Sequence, residues 1–208
     1  MPAKYLIAGL GNIGPDYHVT RHNIGFMALD RIAEKYQITF QPARYGDITT
    51  FRFKGRMFFL LKPSTYMNLS GKAINYWINK ENIELNNLLV ITDDVALPLA
   101  TLRLKGKGSD GGHNGLSNIN TVLGTQNYAR LRFGIGDNYP RGHQVDYVLG
   151  KWTDAEKKII NPVLDTCKDL VESFGTIGLE RTMNIFNTSQ KKLKKDAEKP
   201  TSNKGTDQ

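Results

Sequence analysis

The strongest constraint on the fold is a set of short apolar runs, each closed by turn or acidic residues and separated by helical patterns. "KYLIAG" (4–9) and "LLVI" (88–91) read as short buried strands. "DITTFRF" (47–53) and "RMFFLL" (56–61) predict a strand pair turning at Lys54-Gly55, and "TLRLK" (101–105) and "ARLRFGIG" (129–136) predict two further strands. Between them, "IGFMALDRIAEKY" (24–36) sets Leu29, Ile32, Ala33 and Tyr36 at helical spacing, with Thr20 or Asn23 as the cap. "SGKAINYWINK" (70–80) predicts a second helix capped by Ser70, and residues 114–123 a short third. "TDAEKKII" (153–160) opens on a capping box, Thr153 with Glu156; the pattern predicts a break at Pro162 and a further helix to about Phe186. Strands alternating with helices imply an α/β domain on a largely parallel or mixed sheet, occupying residues 1–187. From Thr188 onward apolar residues nearly vanish, so 188–208 is expected to be a disordered, lysine-rich tail.

A chain of 208 residues fits one domain, and its net charge of +8 narrows the partners. Residues 191–208 hold six lysines against three acids and net +3, leaving +5 on the body. A basic body points to a polyanion: RNA, DNA or an anionic surface. No run approaches the ~20 apolar residues of a membrane helix. The N-terminus lacks a secretory pattern, and the single cysteine, Cys167, rules out an internal disulfide and fits a reducing compartment. A cytoplasmic location is expected.

Gly9, Gly11 and Gly14 spell the dinucleotide fingerprint G-x-G-x-x-G directly after the first strand. That fingerprint works by opening a helix at the third glycine, with an acidic residue about 20 positions on. Here "PDYHVTR" follows Gly14, and the only acidic residue near the required spacing, Asp30, lies inside a helical pattern. The cofactor reading therefore fails two of its requirements and stays only as a minor alternative, a Rossmann-type nucleotide enzyme.

Polar chemistry remains. Asn12 sits in the turn after the first strand, and His22 lies beside a helix start, whose dipole opposes protonation and suits a general base. Asp93 ends a strand, where open α/β sheets place their sites, and a carboxylate there could fix an imidazole tautomer. Asn68 and Asn114 stand at helix starts, where an amide either caps the helix or steadies an oxyanion. There is no G-x-S-x-G elbow, so water is the expected nucleophile. Metal spacing is weak: His18 and His22 lack a glutamate between them, and His113 beside Asp93-Asp94 is the further candidate. Arg103, Lys105 and Lys107 alternate, as do Arg130 and Arg132; such rows serve phosphate contacts or a charged sheet edge equally well.

Five segments, "GLGNIGPDYHVTRHNIG", "KPSTYMNLSGKA", "DDVALP", "GSDGGHNGL" and "RLRFGIG", resemble in order and spacing the bacterial-type peptidyl-tRNA hydrolase family over about residues 4–187. The resemblance implies a monomeric, cytoplasmic enzyme on a single-domain, twisted mixed sheet flanked by helices. It implies hydrolysis of the ester between a peptide and the 3′-terminal ribose of tRNA, with no metal or cofactor. On its motifs His22 is the base that activates water, Asp93 orients it, and Asn12 helps tell a blocked peptidyl group from a free amino acid. Tyr17, Tyr66, Asn68 and Asn114 match positions contacting the tRNA 3′ end. Lys105 and Arg132 match basic positions resembling a clamp for the 5′-phosphate. The sequence departs from the family pattern at Ile13, where proline is frequent, at Ala96, where an acidic residue is common, and in the extra charges of Lys107 and Asp110. A non-catalytic RNA-binding protein on the same fold is the rival reading, and it would need no poised base.

Overall fold

The computed structural model describes the backbone of residues 2–197 and the side chains of residues 2–188. One sheet forms the centre. Its strands are β1 (Lys4–Gly9), β2 (Gln41–Ala43), β3 (Gly46–Phe53), β4 (Arg56–Pro63), β5 (Leu88–Asp94), β6 (Leu102–Lys105) and β7 (Ala129–Gly134), in the order β2-β3-β4-β1-β5-β7-β6. The inner pairings β4–β1, β1–β5 and β5–β7 are parallel; the outer ones, β2–β3, β3–β4 and β6–β7, are antiparallel. The sheet is therefore mixed, with only β3 and β6 opposing the rest. The helices are α1 (Ile24–Tyr36), α2 (Ser70–Glu81), α3 (Asn114–Leu123), α4 (Gln144–Leu149), α5 (Asp154–Ile177) and α6 (Leu179–Ala197).

β1, β4 and β5 carry unbroken apolar runs because both of their faces are covered there. Ile7, Phe58, Leu60, Leu89 and Ile91 pack with α1 and α5, while their neighbours Leu6, Ala8, Phe59, Leu61, Leu88 and Val90 pack with α2 and α3. This strict alternation is the two-residue period of the strand applied to two cores. Each such valine, leucine, isoleucine or phenylalanine withdrawn from water contributes about 1.5–3 kcal/mol before entropy is charged against it.

Three local expectations are corrected. Pro162 does not interrupt α5, which runs unbroken from Asp154 to Ile177. Pro162 is exposed, so the carbonyl it leaves unpaired can face water, and Ile160, Leu164, Cys167, Val171 and Phe174 hold the helix to the sheet across it. Ser70 is the first residue of α2 and not its cap; its hydroxyl donates to the Met67 carbonyl at 2.7 Å. Neither Thr20 nor Asn23 caps α1 through its side chain. The backbone of α6 runs on past Thr188 to Ala197, within the stretch expected to form the tail. The rest of the expected tail, 198–208, lies outside the described residues. The capping box stands as read: the Thr153 hydroxyl accepts from the Glu156 amide at 3.2 Å, and Glu156 accepts from the Thr153 amide at 2.8 Å. The short elements β2 and α4 have no clear sequence pattern.

Gly9 and Gly25 are required for their lack of a side chain. A Cβ on Gly25 would lie 2.4 Å from the Leu10 amide nitrogen and 2.6 Å from the Ile91 carbonyl; one on Gly9 would lie 2.3 Å from the Gly25 carbonyl. The start of α1 thus rests directly on the ends of β1 and β5. Gly25→Ala is expected to destabilise the protein by about 1–3 kcal/mol or more, since the clash is with backbone that cannot rotate away. A denaturant titration showing a midpoint equal to that of the wild type would contradict this.

Candidate active site

The parallel strands deliver their carboxyl ends to one edge of the sheet, and the polar residues gather there. Asn12 leaves β1, Asp93 and Asp94 end β5, and a 3₁₀ turn, Met67–Leu69, follows β4. A second 3₁₀ turn, Arg21–Asn23, leads into α1 and carries His22. Asn23, 1% exposed, uses its side-chain amide as a strand would. Its Oδ1 accepts from the Asn12 amide at 2.8 Å, and its Nδ2 donates to the Asn12 carbonyl at 2.8 Å. The residue beside His22 therefore fixes the turn that bears Asn12. With Gly11 packed under the Phe26 ring, the glycine motif is a steric device that brings Asn12 to the histidine.

Asp93 is held between two imidazoles. His22 Nδ1 lies 2.9 and 3.0 Å from its two oxygens, and His113 Nε2 lies 3.0 Å from Oδ1. The hydrogen bonds settle the tautomers. His113 Nδ1 caps α3, accepting from the Gly115 and Leu116 amides at 3.1 and 3.3 Å, so its proton resides on Nε2 and is donated to Asp93. His22 donates from Nδ1, which leaves Nε2 as its lone-pair nitrogen. Burial alone would lower the proton affinity of His22, but the Asp93 carboxylate outweighs it and the pKa is raised. Burial of Asp93 would raise its own pKa; His113 and His22 more than reverse this and hold the carboxyl well below the usual range. His22 Nδ1, the Asp93 carboxylate and His113 Nε2 lie within 4.8 Å of one another, close enough to share a cation, but in this network a cation would have to displace both imidazole protons.

Around this pair lies a cleft of ≈ 380 Å³. Of the residues expected from sequence, it gathers Asn12, His22, Asp93, Asn114 and Arg132. Tyr17, Tyr66 and Asn68 do not line it; Tyr66, 75% exposed, and Asn68 stand outside it on the segment that carries Met67 into its wall. Lys105 is exposed and pairs in register with Arg130, two positions before Arg132, so Lys105 and Arg132 are staggered along the β6–β7 edge. Arg132 is ion-paired with Asp94. Arg130 is 1% exposed; it donates to the carbonyls of Gly108, Ser109 and Gln126 and is a strut for the glycine loop, not a surface cation.

Sequence reasoning overlooked the wall opposite Asp93. Val145, Val148 and Leu149 of α4 line the cleft. Arg21 ties that helix to the histidine. Its amide donates to the Gly150 carbonyl at 3.0 Å, its guanidinium makes two 2.8 Å bonds to Glu156, and it lies 4.4 Å from the Tyr147 ring centroid. The only trace in the sequence is a basic residue before the histidine. Its partner lies 135 positions away, beyond any local pattern.

Comparison with known proteins agrees with this geometry. The family model described as peptidyl-tRNA hydrolase matches residues 6–196. A peptidyl-tRNA hydrolase of Bacteroides fragilis is 60% identical over 184 residues, covering 88% of this chain and 98% of that protein. One of Cytophaga hutchinsonii is 55% identical over 187 residues, covering 90% and 100%. The crystal structure of peptidyl-tRNA hydrolase from Acinetobacter baumannii superposes with a TM-score of 0.83 at 33% identity, covering 90% of this chain and 96% of that one. The chain belongs to the peptidyl-tRNA hydrolase family.

Proposed function

We propose that this chain hydrolyses the ester between the peptide and the 3′-terminal ribose of peptidyl-tRNA, with water as nucleophile and His22 as base. The observation that carries the mechanism is the His22–Asp93 contact at 2.9 Å, which commits Nδ1 and leaves Nε2 to the cleft. Nε2 takes a proton as water oxygen bonds to the ester carbonyl carbon. The tetrahedral oxyanion is met by amide donors, for which Asn12, Asn68 and Asn114 are the candidates. The imidazolium, stabilised by Asp93, returns the proton to the departing ribose oxygen, which leaves free tRNA and a peptide acid.

The site's polarity supports selection of blocked substrates. A free aminoacyl-tRNA carries an ammonium where a peptidyl-tRNA carries a neutral amide, and an amide-binding pocket around Asn12 penalises the charge through desolvation. Tyr17 and Tyr66 are exposed and suited to stacking on unpaired terminal bases. Lys105 and Arg132 would receive the 5′-phosphate, Arg132 sharing its charge with Asp94. The catalytic unit is assigned to residues 1–187, working as a cytoplasmic monomer without metal or cofactor. No described helix is long and apolar enough to cross a membrane.

The first test is hydrolysis of an N-blocked aminoacyl-tRNA beside its unblocked counterpart, with and without chelator. Chelator-insensitive cleavage of the blocked form alone, lost in His22→Ala, is expected; full activity in that variant would overturn the base assignment, and tight tRNA binding without cleavage would favour a binding module.

The raised pKa of His22 places the acidic limb of kcat/KM above the ordinary imidazole value of 6.5, because the base is lost as pH falls through it. Asp93→Asn should move that limb downward and cut the rate by on the order of 10³–10⁴-fold, since the tautomer is no longer fixed. A pH profile unmoved by this substitution would contradict the pairing.

The lysine-rich end is expected to add RNA affinity without sequence preference. Replacing Lys191, Lys192, Lys194 and Lys195 by alanine should flatten the salt dependence of tRNA binding, by about one in log–log slope for each phosphate no longer neutralised. An unaltered slope would remove the segment from the RNA surface.

A further inference from the structure

The polar face that enters the catalytic cleft at Asn114 continues along α3. Asn118 and Val122 follow at successive turns on the same side of the helix, and both line a second, more open groove of ≈ 800 Å³ between α2 and α3. Leu69, Lys72 and Tyr76 form its other wall, with Tyr45 beyond them. Leu69 shares its 3₁₀ turn with Met67, which lines the catalytic cleft. The two hollows thus meet at one turn of chain.

The groove combines apolar surface, amides and cations. Leu69 and Val122 are 45% and 39% exposed. The Tyr45 and Tyr76 rings meet edge-on at 5.4 Å, and the Arg44 guanidinium sits 5.1 Å from each. Lys72 lies 4.8 Å from the Tyr45 ring, and Lys80 flanks the Tyr76 side. Among the described residues no carboxylate lines it.

Strand order decides which part of the substrate reaches it. Lys105 and Arg132 lie at the β6–β7 edge; Asp93 on β5, Asn12 after β1 and Tyr66 with Asn68 after β4 follow in sequence across the sheet. With the clamp at the first edge and the ester at His22, α2 lies on the far side of the ester from the clamp, so the acyl group can run past the terminal nucleotide at Tyr66 and Asn68 toward it. We propose that the α2–α3 groove is the subsite for the upstream part of the peptide, and that it prefers uncharged and acidic side chains to basic ones. This rests on the hydrolase reading above. Asn79 Nδ2 donates to the Asn75 carbonyl and Oδ1, which leaves Asn75 Nδ2 and Asn79 Oδ1 to face a peptide main chain; the apolar wall suits any aliphatic side chain, and the cationic rim repels lysine and arginine. From Asn114 to Val122 is ~12 Å along the helix axis, the span of about four extended residues.

The experiment compares one tRNA carrying an N-acetylated single residue with the same tRNA carrying hexapeptides of neutral, acidic or basic upstream sequence. Neutral and acidic hexapeptides should show KM lower than the single residue by roughly tenfold, the scale of a modest apolar subsite. Tyr76→Ala and Val122→Asp should erase that advantage while leaving kcat and KM for the single residue unchanged, which also reports that the variants fold. Lys72→Glu with Lys80→Glu should reverse the acidic-over-basic preference. Equal KM for short and long substrates in the wild type would overturn the inference alone. So would groove variants that instead weaken binding of deacylated tRNA, which would make RNA the occupant. Failure to cleave even the N-acetylated residue would overturn the enzymatic reading, and this inference with it.

Discussion

The site depends on one buried carboxylate accepting hydrogen bonds from two imidazoles. Asp93 is only 5% exposed, and an isolated charge at such burial is costly to maintain. It persists because His22 and His113 both donate to it, and because His113 is itself committed to the first amides of α3. The chain of consequence runs outward from there. The α3 N-terminus sets the His113 tautomer, His113 fixes one oxygen of Asp93, and Asp93 dictates which nitrogen of His22 keeps its lone pair. The asymmetry of one imidazole is thus inherited from the geometry of a helix on the other side of the cleft.

The second requirement is close approach. His22 can stand over β5 only because α1 begins in contact with backbone, and Gly9 and Gly25 are the residues without a Cβ that allow it. Asn23 then links the helix start to the turn at Asn12 through two hydrogen bonds with near-strand geometry. Fold and site therefore share the same few residues: those that let a helix touch a sheet also place His22 and Asn12.

Much of the fold was legible in local chemistry. The unbroken apolar runs of β1 and β5 announced strands covered on both sides, and Thr153 with Glu156 announced the start of α5. Where the reading failed, tertiary contacts had overruled local preference. Pro162 is carried through a helix by the five apolar side chains that straddle it, and Asn23 spends its amide on another loop instead of capping. The site was less legible from spacing. His22 and Asp93 are 71 positions apart, and only the resemblance of five segments to a known family joined them beforehand. Spacing alone could not separate Arg130 from Arg132, alternate residues on one strand. One proved a buried strut and the other a residue of the cleft.

Arg130 has a consequence for how this protein meets anions. Its guanidinium is satisfied mainly by the carbonyls of Gly108, Ser109 and Gln126, which are dipoles and leave its full charge in place. That charge is fixed beneath the glycine-rich loop, where mobile ions cannot gather around it. The exposed lysines lose their reach as salt rises; a cation embedded beneath the loop loses far less. The loop therefore sits over a fixed cation, partly offset by its own Asp110, whose field is felt at close range only, so the last few ångströms of an anion's approach are guided differently from the first.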